Sequence, residues 1–304
     1  MIALYKEGEW LTGSVPEEVP AMPLGQLLRE HWQLPRKLVH LLFQAKGVLV
    51  DGEPVNQQRI VCAGERLSLR VLPEPLGLAP LAGKLDLLYE DDHLLIVNKP
   101  AGCLLHPTQP GDTATLDHLV AGYFQQQGIA AKVRHIHRLD RDTSGAVLYA
   151  KHALAAALLD EQLRRRQISR RYLAFVHGQP KRQHGTIAAP IGRDRHHAVR
   201  RIVSRTGEPA VTHYRVQARF PAAALLACQL ETGKTHQIRV HCRHIGHPLL
   251  GDVLYGGRSE LINRVALHAA SLSFFHPFGG RLVRVEADWP DDLVRLQARL
   301  RSET

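Results

Sequence analysis

The sequence predicts an α+β protein, with a mixed, largely antiparallel sheet in a main domain and a small α+β domain before it. Three observations predict this. Strand-length and helix-length apolar segments are interleaved without the strict alternation of a doubly wound fold. A stretch rich in proline and glycine, with Pro73, Pro75, Gly77, Pro80 and Gly83, divides the chain. The chain has 304 residues, and domains usually run to about 50–250 residues, so two domains fit the length. The expected boundaries are a small domain over 1–72, a linker over 73–84 and a main domain over 85–304.

The first twenty or so residues, with Pro16, Pro20 and Pro23, read as an irregular lead-in. Residues 24–32 read as a short helix with Leu24, Leu27 and Leu28 on one face. Residues 36–46 read as a second, with Leu38, Leu41 and Leu42 inward and Gly47 to end it. Residues 48–50 form a short strand running into the turn signal Asp51-Gly52. Residues 67–71 form another, with Leu67, Leu69 and Val71 inward and Ser68 and Arg70 outward. In the main domain, strands are expected over 85–89, 94–98, 146–150, 172–177, 213–218, 224–230 and 283–287, and helices over 115–127 and 152–167.

The composition is that of an ordinary globular chain, with 44% hydrophobic and 22% charged residues. Lys and Arg outnumber acids 39 to 29, giving a net charge of +10 and favouring polyanionic partners. No apolar run approaches the ~20 residues of a membrane helix, and the opening lacks an apolar signal core, so a cytoplasmic location is expected. The four cysteines form no Cys-x-x-Cys pair and are too sparse for a disulfide framework. His241, His244 and His247 are spaced three apart, but Gly246 and Pro248 end any helix that would align them, and no metal site is expected. No interface pattern stands out, which favours a monomer.

Two polar clusters could carry chemistry. One is 135–145, His-Ile-His-Arg-Leu-Asp-Arg-Asp-Thr-Ser-Gly, ending in a turn that feeds an apolar strand, a common position for catalytic groups. The other is 231–241, Glu-Thr-Gly-Lys-Thr-His-Gln-Ile-Arg-Val-His, where Ile238 and Val240 alternate with polar residues and place Arg239 on the opposite side of a strand. Gly233-Lys234-Thr235 is not a nucleotide-binding loop, because Cys228 stands where the pattern needs glycine. A Rossmann glycine pattern is also absent.

His137-Arg138-Leu139-Asp140 followed by Thr143-Ser144-Gly145 closely resembles the signature of the RluA family of RNA pseudouridine synthases. Asn98-Lys99-Pro100-Ala101-Gly102 with His106-Pro107 resembles the family's first motif, and Tyr172 in 170–174 its active-site tyrosine. Residues 232–241, continuing to 246–252, resemble its late motif, with Lys234 where arginine is more usual. The four motifs stand in order over about 85–290. The small domain resembles the S-four-like RNA-binding module often fused to the family; the alternative is a protein-protein module.

The resemblance implies a cofactor-free isomerase of structured RNA, ribosomal or transfer, with the pseudouridine synthase catalytic fold. It implies Asp140 as catalytic carboxylate, Arg239 as its partner and Tyr172 against the target ring. Arg138, His137, Thr143, Lys234, His236, Gln237, Arg170 and Arg171 are implied on the RNA side. Lys99 is expected to be structural. Two basic clusters, 164–171 and 193–205, are expected to meet RNA backbone. The competing readings are a non-catalytic RNA-binding or ribosome-assembly protein on the same fold, and a metal hydrolase built on histidines.

Overall fold

The structure is a computed structural model that describes residues 4–302. Its larger part is built on a ten-stranded mixed sheet. The central path runs through Val211–Phe220, Ala223–Leu230, Ser169–His177, Leu267–Phe275, Ser144–Ala150 and Leu94–Lys99. All neighbours pair antiparallel except Ser144–Ala150 with Leu267–Phe275, which are parallel. The predicted mixed, largely antiparallel sheet is what forms.

Strand alternation divides the core. Leu94, Ile96, Ala146 and Leu148 face one side, where they meet the helix Ala153–Arg164 through Leu154 and Leu159. Leu95, Val97, Val147 and Tyr149 face the other, against Leu116–Gln126 through Val120, Ala121 and Phe124. The strand Leu267–Phe275 at the sheet's centre and the C-terminal helix Asp291–Ser302 were not among the expected elements, although the helix carries a signal, with Pro290 and two acids at its start and Leu293, Leu296 and Leu300 on one buried face. The strand's first residues read Leu-His-Ala-Ala, where His268 is buried and paired to Ser144 Oγ at 2.9 Å.

The N-terminal part carries a five-stranded sheet in the order Tyr5–Glu7, Trp10–Ser14, Arg66–Arg70, Val48–Val50, Glu53–Pro54. The lead-in therefore opens as a β-hairpin over 5–14 and is irregular, as expected, over 15–21, its first three residues lying outside the described ones. Its signal was weak because Tyr5–Glu7 is an edge strand with every residue exposed. Ser68 is buried rather than outward, bonded to Thr12 Oγ1 at 3.0 Å. In the helix Arg36–Gln44, Val39 and Leu42 are buried and Leu41 is exposed.

The N-terminal apolar residues, among them Leu11, Leu28 and Leu69, belong to the same cluster as Leu148, Leu154 and Phe274. The proline-rich stretch is strapped down. Glu74 pairs with Arg134 at 2.6 Å, Leu76 and Leu78 pack on the second core, and Leu81 N–H donates to His118 O at 2.9 Å.

Two buried histidines tie the start of Ala153–Arg164 to the sheet. His152 Nδ1 accepts from Ala155 N–H at 3.1 Å, capping the helix. Its Nε2 lies 3.0 Å from His93 Nδ1. Burial holds His93 down to about 4 and His152 to about 3, so both are neutral in the fold. His137 is likewise held to about 3 by burial. The unfolded chain takes up these protons below pH ~6.5, so stability is complete above that pH and is lost as pH falls towards 4 and 3. Each histidine contributes a slope of about 1.4 kcal/mol per pH unit between about pH 6 and 4. Urea unfolding at pH 7, 5 and 4 should show this loss, and His152→Asn, which keeps a capping oxygen, should reduce the slope by one histidine's share.

Candidate active site

Asp140 sits in the loop between Arg134–His135 and Ser144–Ala150, and the chain folds this loop with two devices. Lys99 is fully buried, and its Nζ donates to Pro100 O, Cys103 O and Arg141 O at 2.7–2.9 Å, clamping the residue after Asp140. Burial lowers it to about 8, and its three carbonyl acceptors make it a structural post, as expected. At the loop's exit, Gly145 has φ +115°, and a Cβ there would stand 2.3 Å from Ala269 O. Only glycine fits that close parallel pairing.

The loop borders an open cavity of about 660 Å³. Asp140 and Glu231 are its carboxylates, and Glu231 is already held by Arg166 at 2.6 Å and His213 at 2.7 Å. Asp140 Oδ2 accepts from Arg239 Nη1 at 3.1 Å, with His236 Nε2 3.9 Å away.

Arg239 is not on a strand, as its alternation suggested, but on the helix Gln237–His244. Residues Gln237 to Cys242 are all buried, so apolar 238, 240 and 242 mimic a strand while the polar residues between them find partners. His236 opens the helix in a left-handed conformation, φ +58°. Gln237 fixes it: its amide donates to Val211 O at 2.9 Å and Thr212 Oγ1 at 3.0 Å and accepts from Thr232 Oγ1 and Lys234 N–H.

A residue outside the expected set sets the arginine's direction. Asp252, 1% exposed, accepts from Arg239 Nε at 2.8 Å and Nη2 at 2.9 Å. This fork leaves Nη1 for Asp140. The Tyr255 ring lies 5.0 Å from the guanidinium carbon, and its hydroxyl meets His236 Nδ1 at 2.9 Å and accepts from Arg201 N–H at 2.9 Å. Burial alone would lower the Arg239 pKa, but Asp252 and then Asp140 outweigh it and raise it, so the cation is permanent. Asp252 lies at the end of the late motif, which was the available signal; Tyr255 had none.

Tyr172 is buried on Ser169–His177 and lines the cavity; burial pushes its phenol up, so it stays protonated at neutral pH. Arg170, two residues earlier on the same strand face, is 7% exposed, and no hydrogen bond or ion pair is made by it among the described residues. Arg138 is exposed at the cavity wall. Thr143, His137 and Lys234 also line the cavity, with His137 Nε2 accepting from Leu148 N–H at 3.3 Å and Lys234 paired to Glu208. Arg171 does not join them. Strand alternation turns it to the other sheet face, beside His213, Arg215 and Gln229. Among the described residues, no cluster of three or more His, Cys, Asp or Glu has metal-holding geometry.

The family model described as RNA pseudouridylate synthase matches residues 93–244, half of the chain and all of this cavity's central loop. The chain belongs to the RNA pseudouridylate synthase family. It is an isomerase acting on RNA. A second family model, the RluD ribosomal pseudouridine synthase N-terminal domain, matches residues 11–67. "Uncharacterized RNA pseudouridine synthase YhcT" of Bacillus subtilis is 42% identical over 296 residues, covering 96% of this chain and 98% of its own. "Ribosomal large subunit pseudouridine synthase D" of Xanthomonas campestris is 40% identical over 273 residues, covering 84% and 82%. Among solved structures, human RNA pseudouridylate synthase domain containing 1 matches with a TM-score of 0.58 at 28% identity, over 70% of this chain and 87% of that one. No helix among the described residues is long and apolar enough to cross a membrane.

Proposed function

We propose that this synthase isomerises selected uridines of large-subunit ribosomal RNA, with Asp140 as the carboxylate that acts on the nucleoside. The observation that carries the reading is the Asp140 carboxylate, fixed by Arg239 in an open cavity whose other acid is neutralised. The relative named for the ribosomal large subunit and the matched ribosomal-synthase N-terminal domain support the choice of RNA. Such an enzyme works where ribosomes are assembled, in the cytoplasm.

The reaction breaks the N1–C1′ bond of uridine and forms C5–C1′; the C5 proton leaves and N1 gains one. No electron donor or group donor enters the balance. Asp140 supplies the nucleophile or assists the cleavage, and Arg239 keeps it charged and aimed. A stacked uridine cannot reach this group, so it flips into the cavity, where Tyr172 meets the ring with its face. Arg138 stands where it can fill the vacated space or hold the flipped form.

Arg170 supplies an independent argument for a polyanion. Its Nε is buried without a hydrogen-bond partner beside the open cavity, and an RNA phosphate would satisfy it. Binding to a ribosomal RNA transcript should therefore fall steeply with salt, with a log–log slope of about −3 or steeper if four or more phosphates are neutralised. Arg170→Ala should weaken the transcript's affinity and flatten that slope by about one unit in filter binding. A wild-type slope near zero contradicts the assignment.

Pseudouridine mapping in ribosomal RNA from a strain lacking the gene tests the function. One or more large-subunit pseudouridines should disappear and return with the wild-type gene but not with Asp140→Asn. An unchanged map would remove the ribosomal assignment.

A further inference from the structure

A second cavity, of about 460 Å³, lies between the N-terminal part and the main sheet. Trp32 and Val19 line it from one side, and Leu158, Phe275 and Phe278 from the other. Its walls combine aromatic faces with unmet polar atoms. Trp32 Nε1 and Gln162 Oε1 are both buried without a hydrogen-bond partner, on side chains each about nine-tenths buried. Buried polar groups are ordinarily satisfied, so one donor and one acceptor here await a ligand that carries both. The backbone beside Trp32 is unusual too: Leu27–His31 is a π-helical turn, and Gln33 has φ +55°. Both are costly local features that concentrate at functional places.

The end of the helix Ala153–Arg164 and the residues after it serve both cavities: Leu163, Arg164 and Arg166 line the Asp140 cavity, while Gln162, Arg165 and Gln167 line the second. Arg164 and Arg165 share Glu161, whereas Arg166 leans to Glu231. Three consecutive arginines thus border the two openings, and a phosphate backbone running along them would carry a neighbouring nucleotide from one to the other. Phe275, 49% exposed on the second cavity's wall, offers a stacking face to solvent.

We propose that this second cavity receives an unstacked nucleobase of the same RNA whose uridine enters the Asp140 cavity. A base fits the chemistry: it has a π face for Phe275 and Trp32, and an edge bearing both acceptor and donor for Trp32 Nε1 and Gln162 Oε1. The inference rests on the enzyme's acting on RNA and adds a second contact that selects its target.

The test measures equilibrium binding of an unmodified large-subunit ribosomal RNA transcript, and of a short stem-loop carrying only the target uridine, to the full chain. Trp32→Phe keeps the ring and loses the donor; Phe275→Ala removes an exposed face without opening a core. Loss of one hydrogen bond should raise Kd for the transcript about 2- to 10-fold, and loss of the stacking face about 5-fold or more. The short stem-loop should bind both variants as it binds the wild type, with kcat on it unchanged. Equal Kd values for all three proteins on the transcript would overturn the proposal. So would a parallel loss on the stem-loop, which would mark a change of fold, or competition of millimolar nucleoside monophosphates for the difference, which would mark a free nucleotide as occupant. A wild type that binds the transcript but leaves its uridines unchanged would bring down the proposed function, while these binding ratios would still be read.

Discussion

Asp140→Asn should lower the single-turnover rate of uridine isomerisation by at least about 10³-fold, the scale on which removing a nucleophile acts. The fold should not change. The asparagine carbonyl can still accept from Arg239 Nη1, while Asp252 keeps its two bonds to the same guanidinium. RNA affinity should stay within a few-fold, because the phosphate-facing cations are untouched. Rate, filter binding and a thermal melt on one preparation separate these effects. A variant within ten-fold of the wild-type rate would move the chemistry to another group.

The second large effect is expected at Asp252, which does not line the Asp140 cavity. Asp252→Ala leaves the buried Arg239 with Asp140 as its one carboxylate and with Nε and Nη2 unmet, and should cost up to about 3–5 kcal/mol, the scale for breaking a buried pair. It also frees Arg239 to turn from Asp140, so kcat should fall while RNA affinity stays near wild type. Asp252→Asn keeps one acceptor and should fall between the two. Arg239→Lys keeps the charge but cannot fork to two carboxylates, and should lose rate in the same way. Urea unfolding and single-turnover rates check the pair. An unaltered rate in a destabilised Asp252→Ala would show that the fork stabilises the fold without aiming the arginine.

The sequence made the sheet class legible because its strands alternate or run apolar where they are buried: 94–98 and 146–150 needed no context. It made the Asp140 loop legible through residue order in the family's motifs. What it hid has common physical causes. The first six residues of the helix Gln237–His244 are all buried, its polar residues satisfied inside, so apolar 238, 240 and 242 read as a strand. Tyr5–Glu7 is an exposed edge with no apolar face to read. Arg171 differs from Arg170 only by the strand's two-residue period, which needs a known face before it can be used. Asp252 and Tyr255 reach Arg239 through a turn whose shape depends on Gly251, φ +72°, where a Cβ would meet Arg264 O at 1.9 Å. No local pattern announces that approach.

The most direct measurement of the central claim is tritium release from large-subunit ribosomal RNA labelled at uridine C5, transcribed without modification and incubated with the purified chain. Breaking the C5–H bond is obligatory in the isomerisation, so release stoichiometric with the sites modified is the expected result, and Asp140→Asn should give none above background. A wild-type protein that binds this RNA and releases no tritium would contradict the account.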